Sequence, residues 1–401
     1  MSEPTALEPR QFAAIPSSPS LQSRLPQVGS TIFSTMSALA QAHGAVNLGQ
    51  GFPDFGCDPA LPAAVTAAMQ AQHNQYPPMP GVAVLREAVA KKIQTLYGHG
   101  YDRDSEITIT AGATQGILTA LLAVVHPGDE VIVLEPCYDS YLPNIELAGG
   151  VAVPVPLAPG SFRPDFEKIA AAITPRTRLL IINTPHNPSA TVWTDAEMLS
   201  LAELLRGSSV LVISDEVYEH MVFDGQQHQS VARYPDLLCR SFIVSSFGKT
   251  YHVTGWKVGY VAAPAAMMME FRKVHQYNVF SVNTPMQYGL TSYMGDARPY
   301  LELPSFYQSK RDRFRAGLQG SKLKLFPCEG SYFQCVDYSD LVAVGAMNDR
   351  EFCEWLTREK GVAAIPLSAF YAQGSDQTVI RFCFAKEDQT LDKAISLLRQ
   401  L

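Results

Sequence analysis

The sequence predicts an α/β fold: a large domain with a mostly parallel, seven-stranded sheet flanked by helices, and a smaller α+β domain. Short runs rich in β-branched residues alternate with apolar helical segments such as 61–72 and 114–125, and this alternation stops near residue 290. Strands separated by helices form βαβ units, whose sheets are parallel and covered on both faces. The seven runs are ITIT from 107, VIVLEP from 131, AVPVPL from 152, LLIINTP from 179, VLVISDE from 210, FIVSS from 242 and VGYVAA from 258.

The pattern after residue 290 predicts the second domain. Segment 305–320 has the periodicity of a long amphipathic helix, and 387–400 predicts a closing helix. Between them, SYFQCVD from 331 and VIRFCFA from 379 predict strands. A chain of 401 residues also exceeds the roughly 250–300 residues at which single cores usually divide. We expect an N-terminal arm that joins the small domain (1–50), a large domain (51–290) and a small C-terminal domain (291–401).

Composition excludes several classes of protein. Hydrophobic residues make up 47% of the chain and charged residues 17%, which predicts a folded protein with a large core. A net charge of −7 gives no electrostatic reason to bind nucleic acid or an anionic membrane. The first 20 residues lack the apolar stretch of a signal peptide, and no apolar run approaches the roughly 20 residues of a membrane span.

The cysteines predict neither a disulfide framework nor a metal site. The chain has seven, an odd number, and no C-x-x-C pair occurs. We therefore expect reduced thiols, a cytoplasmic location and no bound metal.

Polar groups follow five of the predicted strands directly. Ligands of open α/β sheets bind beyond the carboxyl ends of the strands, so these groups predict a site at one sheet edge. The five groups are AGATQG from 111, PCYD from 136, NTPHNP from 183, SDEVY from 214 and SSFGK from 245.

The first group has the features of a phosphate cradle. Ala113 and Thr114 follow a glycine and open a helix, where free backbone N–H groups and the helix dipole attract an anion. Taken alone, Thr114 is better explained as a helix N-cap, and its partners change that balance. Ser246 and Lys257 add a hydroxyl and a cation that suit the same phosphate.

Lys249 and Asp215 complete the pattern. A lysine withdrawn from water loses pKa and becomes a nucleophile that forms Schiff bases. A carboxylate at the end of an apolar strand needs a cation, for which a pyridinium nitrogen is suitable. A lysine, a strand-end aspartate, a phosphate cradle and an aromatic ring together predict pyridoxal 5'-phosphate as the cofactor.

Two other motifs are present only in part. The run Gly248-Lys249-Thr250 ends like a Walker A loop, but Ile243 occupies the place of its first glycine. Ser246 and Lys249 match the S-x-x-K of serine acyl-transfer enzymes, the alternative from another class, but the accompanying S-D-N and K-T-G motifs do not occur.

Arg381 is the candidate for binding a substrate carboxylate. It lies in the middle of an apolar strand, where a buried guanidinium needs an anion and matches a carboxylate with two hydrogen bonds. An exposed arginine on an edge strand is the alternative.

These residues resemble those of class I/II aminotransferases of the pyridoxal-phosphate fold type I, over essentially all of residues 30–401. Within that family, the chain is most similar to the kynurenine/glutamine transaminase branch, and there to the bacterial methionine aminotransferases. The motifs that carry the resemblance are NLGQGFPDF (47–55), NQYPPMPGVAVLREAV (74–89), GATQ (112–115), EPCYDSY (135–141), NTPHNPSATVW (183–193), SDEVYEH (214–220) and SSFGKTYHVTGWKVGY (245–260).

The resemblance implies roles at the cofactor ring. Lys249 would attach the cofactor covalently and then act as general base and acid. Asp215 would pair with the pyridine N–H, Asn187 and Tyr218 would bind the ring oxygen, and Tyr138 would stack on the ring. The large domain would thus be the cofactor-binding domain.

The resemblance also implies that the phosphate site is shared between subunits of a homodimer. Ala113, Thr114, Ser246 and Lys257 would bind the phosphate, joined by Tyr76 from a neighbouring subunit. Many relatives have arginine in place of Lys257, but a lysine still offers a phosphate a positive charge.

For the substrate, the resemblance implies that Arg381, Asn187 and the backbone of Gly51 hold the carboxylate. Phe33, Phe333 and, from the partner subunit, Phe280 would line the side-chain pocket. The alternative is that any of them is simply a core residue, which for Phe280 is an equally good explanation. Aromatic rings suit a thioether or an aromatic side chain.

We therefore expect a ping-pong aminotransferase that moves the amino group of methionine, or of other large neutral or aromatic amino acids, to a 2-oxo acid. The alternative is a kynurenine/glutamine transaminase with β-lyase activity on cysteine S-conjugates. A regulator that uses this fold as a sensor would carry a DNA-binding domain ahead of it, and we expect the roughly 30 residues rich in Pro and Ser to be too few.

Overall fold

The structure is a computed structural model that describes residues 20–341, 347–375 and 377–401. The start of the predicted N-terminal arm, residues 1–19, lies outside the described residues.

A seven-stranded sheet forms the centre of the chain, as the sequence predicts. In sheet order the strands are β2, β8, β7, β6, β5, β3 and β4, and β8 alone runs antiparallel to its neighbours. The described residues form thirteen strands, which are Val46–Asn47 (β1), Ile107–Thr110 (β2), Glu130–Glu135 (β3), Val151–Pro156 (β4), Thr177–Asn183 (β5), Leu211–Asp215 (β6), Ser241–Ser246 (β7), Gly259–Ala262 (β8), Lys324–Leu325 (β9), Phe333–Asp337 (β10), Val362–Ala363 (β11), Ile365–Pro366 (β12) and Val379–Cys383 (β13).

Helices cover both faces of this sheet. Alternate residues of one strand enter different apolar clusters: Val131 and Val133 pack on one face, and Ile132 and Leu134 on the other. Within the described part of the chain there are fifteen α-helices, which are Ile32–His43 (α1), Ala60–Gln70 (α2), Ala83–Tyr97 (α3), Ala113–Val124 (α4), Tyr141–Leu147 (α5), Phe166–Ala172 (α6), Asp195–Leu205 (α7), Pro235–Leu238 (α8), Phe247–Thr250 (α9), Ala265–Asn278 (α10), Thr284–Tyr293 (α11), Arg298–Leu301 (α12), Leu303–Gly317 (α13), Asp349–Lys360 (α14) and Asp388–Leu398 (α15). The predicted α/β class is confirmed.

The reversed strand β8 has a consequence for the site. Because β8 runs against β7, Gly259 at its start pairs with Ser246 at the end of β7. The residues that precede β8, including Lys257, therefore lie at the same sheet edge as the carboxyl ends of the parallel strands.

A second, antiparallel sheet follows, with the order β12, β13, β10 and β9. Arg381 lies in the middle of β13 and pairs with Cys335 of β10 and Ile365 of β12, so it is on a central strand. The short strand β1 pairs in parallel with β11, which joins the N-terminal segment to this part of the chain. The division at residues 50 and 290 stays a prediction. None of the helices in the described ranges is long and apolar enough to cross a membrane.

A buried ion pair lies behind the main sheet, between α3 and the segment that follows β6. Lys92 Nζ donates to Glu219 Oε1 at 2.6 Å, and both side chains are almost fully buried. Glu219 also accepts hydrogen bonds from Ser245 at 2.6 Å and from Tyr260 at 3.1 Å. Burial by itself raises the pKa of Glu219, but Lys92, His220 and the hydrogen bond from Ser245 lower it below the ordinary value.

Replacing Lys92 by methionine should destabilise the fold strongly, because it leaves the Glu219 carboxylate buried without its cation. We expect a loss of about 3–5 kcal/mol in the free energy of unfolding, measured by urea denaturation. The control is Arg206→Ala, which removes a solvent-exposed ion pair with Glu203 and should cost less than about 1 kcal/mol. Equal losses in the two variants would contradict this account of the buried pair.

Candidate active site

A cavity of about 550 Å³ lies at the carboxyl edge of the main sheet, beside the second sheet. All of the predicted site residues line it except Tyr76 and Phe280. The predicted residues that line it are Phe33, Gly51, Ala113, Thr114, Tyr138, Asn187, Asp215, Tyr218, Ser246, Lys249, Lys257, Phe333 and Arg381.

Lys249 reaches the cavity from α9, the single helical turn that follows β7. Its Nζ donates to the Gly51 carbonyl at 3.2 Å and to the Tyr332 hydroxyl at 2.9 Å, and it lies 5.6 Å from the centre of the Tyr218 ring. Withdrawal from water lowers the pKa of Lys249 to about 8. An amine with this pKa is partly neutral near neutral pH and can act as a nucleophile or a base.

Asp215 ends β6, the strand beside β7. Its Oδ2 accepts a hydrogen bond from the Tyr141 hydroxyl at 2.6 Å, and its Oδ1 accepts one from the Val217 amide at 3.3 Å. No lysine or arginine of the described chain lies within ion-pair distance of this carboxylate. Burial raises its pKa to about 6, against the opposing effect of the Tyr141 hydrogen bond. A buried carboxylate without a cation fits a ligand that brings a positively charged N–H.

The turn before α4 has the backbone geometry that the predicted anion cradle requires. Gly112 precedes the helix with φ of +81°, and no side chain caps the free N–H groups of the first turn. A Cβ atom at Gly112 would lie 3.2 Å from Lys257 Nζ, so the ammonium is adjacent to the helix N-terminus. Thr114 and Ser246 line the same end of the cavity, and Thr114 Oγ1 is 3.4 Å from the Tyr138 hydroxyl. These donors and the cation fit a phosphate.

The Arg381 guanidinium contacts both hydrogen-bond acceptors and aromatic rings. It is 1% exposed, and it donates to Asn187 Oδ1 at 2.7 Å and to the Gly49 carbonyl at 3.0 Å. Its guanidinium carbon lies 4.0 Å from the ring centre of Phe333 and 4.9 Å from that of Phe370. The buried Nε has no hydrogen-bond partner. Since a guanidinium has five N–H donors, this arrangement leaves donors for a carboxylate in the cavity.

Aromatic side chains form the remaining wall. Phe33 meets Phe370 edge to face, with ring centres 5.8 Å apart, and Phe333 meets Tyr218 in the same way at 5.8 Å. A Cβ atom at Gly51 would lie 3.2 Å from the Phe333 ring, so the Gly51 backbone borders this wall.

The two residues predicted to act from a partner subunit lie outside the cavity of their own chain. Tyr76 is 80% exposed and Phe280 is 43% exposed. Their rings contact each other, with centres 5.1 Å apart and planes at 73°. Their contribution to a neighbouring site stays a prediction.

Sequence reasoning missed several residues that the structure places at the site. Tyr141 and Asn183 stand inside the motifs that were recognised, but nothing in those motifs shows that both bond to Asp215. Asp139 lines the cavity, and burial raises its pKa. Tyr332 and Phe370 gave no signal, because their positions depend on how the second sheet packs against the first.

Fold and site together define an α/β protein whose cavity brings together a buried lysine of lowered pKa, a buried aspartate, an uncapped helix N-terminus beside a second lysine, and a buried arginine. The family profile described as aminotransferase class I and II matches residues 44–398. The chain belongs to this family of aminotransferases.

Individual relatives cover almost the whole chain. The methionine aminotransferase of Escherichia coli K12 is 53% identical over 95% of this chain and 98% of its own length. A crystal structure from E. coli described as having a methionine aminotransferase function superimposes with a TM-score of 0.93 at 52% identity, covering 96% of this chain and all of that one. Human kynurenine–oxoglutarate transaminase 1 is 36% identical over 90% of this chain and 93% of its own.

Gly112→Ala should damage the cradle specifically. The new Cβ would be strained by the positive φ and would press on Lys257, so we expect the affinity for pyridoxal phosphate, titrated by absorbance, to fall at least about tenfold. Gly98→Ala is the matched control: its φ of +84° imposes a similar strain, but no atom lies within 4 Å of the new Cβ. Equal losses of affinity in the two variants would refute the role of the Gly112 turn.

Proposed function

We propose that the protein is a pyridoxal-phosphate-dependent aminotransferase that takes the amino group of methionine, and of other large neutral or aromatic amino acids, and passes it to a 2-oxo acid in a ping-pong reaction. The observation that carries the proposal is the convergence of Lys249, Asp215, the cradle at α4 and Arg381 on one cavity.

The residues of the cavity fit this cofactor. When bound, pyridoxal phosphate supplies an aldehyde that bonds amines and a pyridine ring that accepts electrons. Lys249 would hold it through its amine and then move the proton between the substrate carbon and the cofactor. Asp215 would hold the proton on the pyridine nitrogen, and Tyr218 and Asn187 would bind the ring oxygen.

The remaining contacts fix the cofactor's position in the cavity. Tyr138 would stack on the ring face, and the N-terminus of α4 with Thr114, Ser246 and Lys257 would bind the phosphate. Each of these groups lines the same cavity as Lys249. Shape and charge thereby favour one orientation of the ring.

Arg381, Asn187 and the Gly51 backbone would bind the substrate carboxylate. Arg381 has unused donors, and burial strengthens its interaction with a carboxylate because water does not compete. With its carboxylate bound at Arg381, the substrate would have its amino group in the same cavity that Lys249 lines.

The side-chain wall supports a large neutral donor. Phe33 and Phe333 line the cavity, and aromatic rings suit a thioether, with sulfur–aromatic contacts worth about 0.3–1.5 kcal/mol, or another ring. Besides Lys249, Lys257 and Arg381, the described cavity wall contains no cation for a second anionic group. The 53% identity to the E. coli methionine aminotransferase supports methionine within this class.

Kynurenine or glutamine is the alternative donor, with β-lyase activity on cysteine S-conjugates. The relatives named as kynurenine–oxoglutarate transaminases support this alternative, at lower identity. A mycobacterial relative, 40% identical, is named a probable N-succinyldiaminopimelate aminotransferase, so that amino acid belongs in the substrate panel.

We propose that the active form is a homodimer in which Tyr76 reaches the phosphate and Phe280 the side-chain pocket of the neighbouring subunit. Support comes from their high exposure and mutual contact, since an exposed aromatic pair costs less when a partner covers it. A cytoplasmic location likewise stays a prediction.

The function is tested by the visible spectrum of the purified protein before and after addition of L-methionine without an oxo acid. We expect a yellow absorbance band that methionine converts to the pyridoxamine form, and no such conversion in Lys249→Ala. A band that responds only to kynurenine or to N-succinyldiaminopimelate would support the proposed cofactor but show that methionine is not the amino donor. No band after adding pyridoxal phosphate, or full turnover by Lys249→Ala, would refute the proposal.

Arg381→Met should impair the recognition of the carboxylate. We expect kcat/KM for methionine to fall by about 10²–10³, as for the loss of a buried charge-assisted pair. The matched substrate control is 3-(methylthio)propylamine, the analogue of methionine without a carboxylate, whose kcat/KM should change less than about threefold. Equal losses for both amines would mean that Arg381 supports the fold of the site and does not bind the carboxylate.

A further inference from the structure

The hydroxyl of Tyr332 belongs to a closed set of hydrogen bonds around the Lys249 amine. Lys249 Nζ donates to the Tyr332 oxygen at 2.9 Å and to the Gly51 carbonyl at 3.2 Å, and the Tyr332 hydroxyl donates to that same carbonyl at 2.6 Å. Tyr332 is fully buried. Groups from the N-terminal segment, the main sheet and the second sheet thus meet at the amine.

The number of hydrogen bonds matches a neutral amine. A neutral amine has two N–H donors and one lone pair, whereas an ammonium has three donors. Gly51 and Tyr332 accept both donors of the neutral form, which leaves the lone pair free on the side of the cavity that Lys249 lines. An ammonium at this position would keep one N–H without a partner in the described part of the chain.

The direction of the Tyr332 hydroxyl is fixed as well. Burial raises its pKa well above the ordinary value, and the neighbouring Tyr218 raises it further. The phenol therefore keeps its proton, which it donates to Gly51. Its oxygen is left to accept from Lys249.

The backbone around Tyr332 is anchored on two sides. Ser331 has φ of +57° and donates its amide to the Met221 carbonyl at 2.8 Å, in the segment after β6. The Phe384 amide, just beyond β13, donates to the Tyr332 carbonyl at 3.0 Å. Both contacts restrict the position of the Tyr332 ring relative to Lys249.

We propose that Tyr332 is a positioning residue that holds the Lys249 amine with its lone pair directed into the cavity, ready to bond the cofactor. In that step the nitrogen forms a C=N double bond with the aldehyde carbon, and the aldehyde oxygen leaves as water with both amine protons. The proposal rests on the proposed function in that Lys249 is the residue that bonds pyridoxal phosphate.

The test compares full-length, cofactor-free wild type, Tyr332→Phe and Tyr307→Phe. Tyr307 is the matched control, because its ring lies 5.6 Å from that of Tyr332 and its buried hydroxyl makes no hydrogen bond. The first measurement is the rate at which pyridoxal phosphate bonds the protein at pH 9.5, where the amine is neutral in every variant. We expect about a tenfold slower rate for Tyr332→Phe and an unchanged rate for Tyr307→Phe.

The second measurement is the pH midpoint for trace acetylation of Lys249, followed by mass spectrometry. Tyr332→Phe removes an acceptor that stabilises the ammonium, so the midpoint should fall by about half to one pH unit, with no change in Tyr307→Phe. A Tyr332→Phe protein that bonds pyridoxal phosphate at the wild-type rate overturns the proposal. So does an acetylation midpoint that Tyr332→Phe leaves unchanged.

Failure of the proposed function would look different. Wild-type protein treated with pyridoxal phosphate and borohydride would then carry no label on Lys249. The acetylation midpoints are measured without cofactor and still report whether Tyr332 holds the amine.

Discussion

The chemistry of this protein depends on keeping water away from two groups that water normally holds in their charged forms. Asp215 ends β6 and Lys249 follows the neighbouring strand β7, and burial moves their pKa values towards each other, to about 6 and about 8. Each shift has the same cause, the lost hydration of the charged form. A ligand that bonds the amine and brings an N–H cation to the carboxylate relieves both costs at once, which explains why the same cavity suits pyridoxal phosphate.

The buried Glu219 carboxylate connects the segment after β6 to the end of β7. Glu219 lies just beyond Tyr218 and accepts hydrogen bonds from Lys92 and from Ser245 of β7, each at 2.6 Å. Ser245 immediately precedes Ser246 of the phosphate cradle. The Ser245–Glu219 hydrogen bond therefore joins the segment that follows Asp215 to the strand that leads to Lys249, and Lys92 neutralises the carboxylate that accepts this bond.

The main sheet and most of its strand-end groups could be predicted because their signals are local: β-branched runs fix the strands, and parallel order brings their ends together. Arg381 could be predicted because a guanidinium within an apolar strand needs an anion. Tyr332 could not, since only the packing of the second sheet brings it to Lys249. The two-residue strands β9 and β12 are too short to leave a periodic pattern.

Asn187 links the cofactor and substrate ends of the cavity without adding charge. The Asn183 side chain donates to the Asp215 carbonyl at 2.8 Å and accepts from the Asn187 amide at 2.8 Å, and Asn187 accepts from Arg381 at 2.7 Å. An aspartate at position 187 would orient the guanidinium equally well, but its charge would pair with Arg381 and compete with the substrate carboxylate. A neutral amide orients Arg381 and leaves its positive charge for the substrate, so the same chain of hydrogen bonds that fixes the aspartate also prepares the arginine.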